Sequence, residues 1–507
     1  MRKNNTPLPH PLIAFMPVIV LICLLICSIV MFGSDSLEGG SQVALLFSSA
    51  VCIAISMIIY RTPWKVFEKQ LSQTMGSISI TLFILLAVGM VSGSWMISGV
   101  VPTIIYYGVQ ILSPHFFLVS ACAICAVVSL LSGSSWTTIA TIGVALLGIG
   151  DALGIDKAWT AGAIISGAYF GDKMSPLSDT TILASSVTGT DLFEHIRYMM
   201  YTTVPTFTIT LIIFLVSGLS FSSDVSLHVA QYTEGLSRTF NISLWTLIVP
   251  VLTGILIARR VSSLITLFLS AIIAGIVALI LQPHILCEVS GEVTQAVKET
   301  ADGIATTVGN TDGYSLYSMF RGLIMTYYGS TAVDTGNAEL NELVSTGGMA
   351  GMMNTIWLII SAMFFGSMMV ASRMIMSITK TIIRIANSCF SLVSSTVGTC
   401  LFLNLSTGDQ FISIVLAADM YKDAYKQRGF ESRLLSRTTE DAATVTSVLI
   451  PWNTCGMAQS TVLGVPTVVY LPYCFFNLLS PLMSMLVAAI GWKIKRLPVS
   501  GNDTDSE

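Results

Sequence analysis

Apolar stretches long enough to cross a lipid bilayer recur along this whole chain and leave almost no room for a water-soluble domain. A helix needs about 20 mostly apolar residues to span the hydrocarbon core. Ten segments reach roughly that length: 11–32, 41–60, 75–97, 158–190, 198–221, 241–258, 262–282, 351–372, 438–464 and 466–491. Of the 507 residues, 53% are hydrophobic and only 10% are Asp, Glu, Lys or Arg, against roughly 25% charge in soluble domains. The expected fold class is therefore an all-α polytopic membrane protein. The first stretch follows Arg2 and Lys3 but is too long for a signal-peptide core and has no convincing cleavage site, so it is read as a retained span.

Two further apolar segments, 114–149 and 387–420, are too long for one span, and polar, Gly-containing residues interrupt each near its middle. Basic residues decide how they run. With the N-terminus cytoplasmic, ten crossings and both long segments returning to their own side, 19 of the 24 Lys and Arg residues fall on the cytoplasmic face. Lys157, Arg238, Lys298 and Arg321 fall outside, and Lys173 falls within the membrane. Basic residues accumulate on the cytoplasmic side, and a full double crossing at either segment would spoil the bias. Two re-entrant hairpins and cytoplasmic ends, in the cell (inner) membrane, are expected.

The breaks are spaced alike in the two halves. LSGSSWTT (131–138) precedes SPLSDTT (175–181), and LSTGDQF (405–411) precedes IPWNTCG (450–456). Gly133 to Pro176 and Gly408 to Pro451 are each 43 residues, an offset of 275 that also carries Gly189 onto Gly464. The first unit starts inside and the second outside, so the repeat is inverted. That is a common plan of secondary transporters, whose broken helices meet near the bilayer midplane. The expected organisation is two N-terminal helices (1–74), a first transport repeat (75–222), connecting helices with an acidic outer loop (223–350), a second repeat (351–491) and a cytoplasmic tail (492–507).

Charge at membrane depth marks the candidate site. GAYFGDKMSPLSDTT (167–181) places Asp172, Lys173 and Asp179 inside a crossing, where ionisable residues are costly and usually functional. Pro176 removes a backbone donor and opens the helix between the two aspartates. Ser175, Ser178 and Thr180 supply hard oxygen donors, which with a carboxylate suit an alkali cation better than a soft metal. Such a carboxylate lets Na+ and H+ compete for one group, the minimum device for antiport. The bland alternative is a silent ion pair, with Lys173 tuning Asp172 or turning to a helix end. In the second half, Thr407, Gly408 and Asp409 sit at a hairpin tip, and Asn453 and Thr454 follow Pro451; helix capping is their ordinary explanation. Ser132, Gly133, Ser134 and Ser135 form the first tip, where serines often bond their own helix. Asp419, Asp423, Glu440 and Asp441 are read as a solvated face, and His195 as an interfacial anchor.

At GAYFGDKMSPLSDTTILASSVTGTDLFEHIRYM (167–199) the sequence resembles the NhaC family of sodium/proton antiporters. STGGMAGMMNT (345–355) is similar to a Gly-Gly-Met patch of that family, with Thr346 where a basic residue is expected. The resemblance covers about 10–495. It implies an exchanger of the ion transporter superfamily, with a cation–proton exchange role for the matched Asp172 and Asp179. Some members couple Na+ to organic acids, as in malate/lactate exchange.

Other classes fit poorly. There is no GxxxxGK[ST] loop for ATP, no HExxH or serine elbow, and only an incomplete GxGD pattern at 169–172. Cys122 and Cys125 form a CxxC inside an apolar run with no second pair, so no metal beyond transported Na+ and no cofactor is expected. A net charge of −4 without a basic block argues against nucleic acid. The expected partners are Na+, H+ and membrane lipid, and a homodimer is compatible with the sequence. The expected function is Na+/H+ antiport by alternating access; the alternative is a Na+- or H+-coupled organic acid exchanger or amino-acid carrier, against which no membrane-depth arginine is foreseen.

Overall fold

The structure, a computed structural model, describes residues 8–32, 39–221, 226–291 and 315–497. Arg2, Lys3, Lys298 and the tail beyond 497 lie outside them. The regular secondary structure of the described residues is helical, joined by turns and loops, with two isolated β-bridges, Thr331 with Thr346 and Phe430 with Arg496. Nine described helices are long and apolar enough to cross a membrane, or up to eleven if each of two bent pairs is one span. The bent pairs are Val229–Thr239 with Leu244–Ala258, at 89°, and Thr467–Tyr473 with Phe475–Ile490, at 57°. Outward faces carry large apolar side chains such as Leu12, Val30 and Ile280, which suit hydrocarbon rather than water.

The expected hairpins turn where the sequence places its glycines. Helix Pro114–Ser132 ends at Gly133 (φ 67°) and Cys389–Thr407 ends at Gly408 (φ 68°). Left-handed backbone favours Gly, and space requires it too. A Cβ at Gly133 would lie 2.7 Å from that of Leu177, and one at Gly408 would lie 2.9 Å from that of Ala362. The returning helices start at Ser135 and Gln410, capped by Ser134 and Asp409 through the amides of Thr137 and Ile412.

Spans 158–190 and 438–464 are each broken by the same local physics. The residue before proline is pushed out of the helical region. Ser175 (ψ 131°) precedes Pro176 and Ile450 (ψ 118°) precedes Pro451. The chain then restarts as Asp179–Thr188 and Thr454–Leu463, ending at left-handed Gly189 and Gly464. All these ends keep the offset of 275. It fails at the π-helical turns: residues 440–444 form one where 165–169 are ordinary α-helix, and residues 139–143 form another where 414–418 are ordinary α-helix.

Two hydrophobic cores follow. One includes Phe117, Ile139, Ile164 and Tyr470, the other Met363, Leu403, Tyr421 and Ala458, and Trp136 packs against both. Among the described residues, four that are not glycine have positive φ: Arg61, Arg260, Arg373 and Lys493. Each follows the end of an apolar helix, where a cation complements the helix dipole.

Candidate functional site

The broken first-half helix, the first hairpin tip and the π-helical turn of the second half meet around Asp172. One of its oxygens, Oδ2, accepts from the Ser135 amide at 3.1 Å and the Ser135 hydroxyl at 2.7 Å. The start of a helix thus faces a carboxylate, the favourable polarity. The other oxygen, Oδ1, accepts from Ser178 at 2.6 Å. Ser178 and Thr180 hydroxyls are 3.0 Å apart, and Thr180 donates to Glu440 at 3.0 Å. An unbroken line of oxygens therefore runs from Asp172 to Glu440.

Glu440 and Asp441 require a correction. Read from sequence as a solvated face, both are fully buried. Their partners, Thr180 and Lys173, lie some 260 residues earlier, and no local pattern shows that. The repeat held the signal, since the offset sets them against Ile165 and Ser166 in the middle of the first broken helix. Asp419 and Asp423 are exposed as expected.

Lys173 pairs with Asp441, not Asp172, and donates to Ser480 at 3.1 Å. Thr202 also donates to Asp441, at 3.3 Å. Arg437, counted among cytoplasmic residues, is fully buried, with Nε 3.9 Å from Asp441 and the guanidinium 4.7 Å from the Tyr198 ring centroid. An arginine inside the protein is thus present after all. His195 is no surface anchor: it is buried, with Nδ1 2.7 Å from the Ser436 hydroxyl.

Asp179 is itself exposed on the first turn of its helix and stands outside the oxygen line. Ser175 is buried and accepts from the Leu177 amide. Ser132 meets Thr138 at 3.2 Å, and its counterpart Thr407 meets Ser413 at 3.4 Å. Thr454 donates its amide to the Gly408 carbonyl at 2.8 Å and its hydroxyl to Asp409 at 3.4 Å. The Asn453 side chain accepts from the Cys455 amide and donates to the Asn404 carbonyl. The two halves touch beside these groups: the π-helical turn 139–143 that follows the first tip packs against helix Thr454–Leu463. No group of three or more His, Cys, Asp or Glu among the described residues is arranged to hold a metal ion.

A profile described as the Na+/H+ antiporter family matches residues 167–492, which includes every residue of the Asp172–Glu440 line and both proline breaks. The chain belongs to that family. Two similar curated relatives are called Na(+)/H(+) antiporter NhaC. The one from Alkalihalophilus pseudofirmus is 36% identical over 87% of this chain and 89% of the relative. The one from Bacillus subtilis is 31% identical over 96% and 99%. A third, the Malate-2H(+)/Na(+)-lactate antiporter of Bacillus subtilis, is 32% identical over 78% of each chain. The Na+/H+ antiporter family is one of transporters, and the site geometry is to be understood in those terms.

Proposed function

We propose that this protein exchanges Na+ for H+ across the cytoplasmic membrane by alternating access, with both ends in the cytoplasm. One observation carries the reading. The line Asp172–Ser178–Thr180–Glu440 contains three oxygen-to-oxygen contacts of 2.6, 3.0 and 3.0 Å. Each contact needs one proton, and a hydroxyl owns only one. Ser178 and Thr180 supply two. In the proton-loaded state the third comes from a carboxyl group, with Asp172 donating to Ser178 or Glu440 to Thr180, so that one proton is shared between the two carboxyls. Sharing makes the two carboxyls titrate as a unit.

A Na+ entering among these oxygens supplies the positive charge the proton supplied, so each displaces the other. The hard oxygen set suits such a cation. Asp409, Thr407, Asn453 and Thr454 form the corresponding corner of the second half, and they are included as its ion-facing contribution. Ser132, Gly133, Ser134 and Ser135 carry the first tip, with Ser175 setting the break and Asp179 at its mouth. The name of the first two relatives supports Na+ and H+ as cargo.

The test is a proteoliposome assay recording proton movement on adding Na+, Li+, K+, malate or lactate separately. A response to Na+ alone is expected. A response that requires an organic acid, as the third relative's name describes for that protein, overturns the reading.

A further inference from the structure

The formal charges buried around the oxygen line do not cancel. Asp409 bonds the Ile412 amide and Thr454, apart from this line; along the line itself Asp172, Glu440 and Asp441 contribute three negative charges and Lys173 and Arg437 two positive ones, and all five side chains are buried. They form one connected group. Thr180 and Ser178 join Glu440 to Asp172, Lys173 holds Asp441 and acts electrostatically on Glu440, and Arg437 lies beside Asp441. The group is also incompletely bonded. No nitrogen of the Arg437 guanidinium has a hydrogen-bond partner, nor has Glu440 Oε2 or Asp441 Oδ2.

An uncancelled charge in a low-dielectric interior is strongly penalised. One proton or one monovalent cation brings this group to zero. A divalent cation leaves it one charge positive. The oxygen donors themselves give no such discrimination, because Ca2+ and Mg2+ prefer the same hard ligands. We infer that Lys173 and Arg437 are fixed counter-charges that set this site for monovalent cargo and exclude divalent cations. They act on selectivity through the summed charge rather than by touching the ion. The inference rests on Asp172 and Glu440 being the exchange site.

The test compares Lys173→Gln and Arg437→Gln, each of which leaves two negative charges in surplus, with the double variant K173Q/D441N, which returns the surplus to one. Na+-driven proton movement is measured in proteoliposomes with increasing Ca2+, and Ca2+ uptake is followed with an enclosed indicator. The wild type is expected to ignore Ca2+. Each single variant is expected to be inhibited by Ca2+ at concentrations at least tenfold lower, and the double variant to regain wild-type indifference. Single variants that exchange Na+ and still ignore Ca2+ overturn the inference, as does a double variant as Ca2+-sensitive as Lys173→Gln. If a single variant inserts but does not transport, Ca2+-dependent thermal stabilisation in detergent decides instead: stabilisation of the single variants only supports the inference, and none overturns it. A wild type with no Na+-driven proton movement overturns the exchange-site reading, and the same thermal comparison still judges the charge argument.

Discussion

Ser129 and Asn404, 275 residues apart in sequence, make the same bond at the same place in the two halves. Ser129 donates to the carbonyl of Ala168 at 2.6 Å, and Asn404 donates to the carbonyl of Ala443 at 2.7 Å. Each ties the first arm of a hairpin to the broken helix beside it. Asn404 does more, because it also donates to Thr446 at 3.0 Å. A buried side-chain bond contributes on the order of 1 kcal/mol, and a buried partner left unpaired costs about 1–3 kcal/mol. Ser129→Ala is therefore expected to lower the melting temperature of the detergent-solubilised protein slightly, and Asn404→Leu markedly more. Equal shifts would contradict this ranking.

The oxygen line yields a sharper expectation. Asp172→Asn and Glu440→Gln each remove the shared carboxyl proton, so Na+-driven proton movement in inverted vesicles should fall at least 100-fold with the protein still inserted. Asp179 is exposed and outside the line, so Asp179→Asn should change the apparent Na+ affinity by only a few fold. A silent Glu440→Gln would remove the second carboxyl from the mechanism.

How far this was readable from sequence depends on where each partner lies. The breaks at 133, 176, 408 and 451 were legible because Gly and Pro act on their own backbone, and the repeat supplied each reading twice. Asp172 was legible because charge stood alone in an apolar run. Glu440, Asp441, Arg437 and His195 were not, since polar residues beside a basic loop look solvated until a distant helix covers them. Thr202, Ser436 and Ser480 carried no local mark at all. The π-helical turn at 440–444 falls on ordinary α-helix at the equivalent first-half residues 165–169, so even the repeat misses the register that aims Glu440 at Thr180.

The relay itself can be probed without touching a carboxylate. Thr180→Val keeps the shape but removes the hydroxyl between Ser178 and Glu440, leaving the line with two oxygens too far apart to share a proton. Proton movement should slow about 10- to 100-fold, while Thr180→Ser restores most of it. The valine and serine variants behaving alike would show that the hydroxyl proton is not used.

Alternating access requires the two halves to differ at any moment, and one pair of hydroxyls marks where. The hydroxyls of Thr355 and Thr461 lie 2.5 Å apart in the wall of a cleft of about 160 Å³ also lined by Asn354, Pro451 and Ser460. The offset of 275 carries this pair back to Ile80 and Ser186, both exposed, which cannot make the same bond. The second-half contact therefore has no first-half equivalent. Thr355→Cys with Thr461→Cys should form a disulfide under mild oxidation, since hydroxyls in contact place the two β-carbons within disulfide reach, and that disulfide should stop exchange until it is reduced. Ile80→Cys with Ser186→Cys should cross-link only when the other conformation is visited, and so more readily when Na+ and a pH gradient drive turnover. Full exchange with the Thr355–Thr461 positions cross-linked would place the moving gate elsewhere.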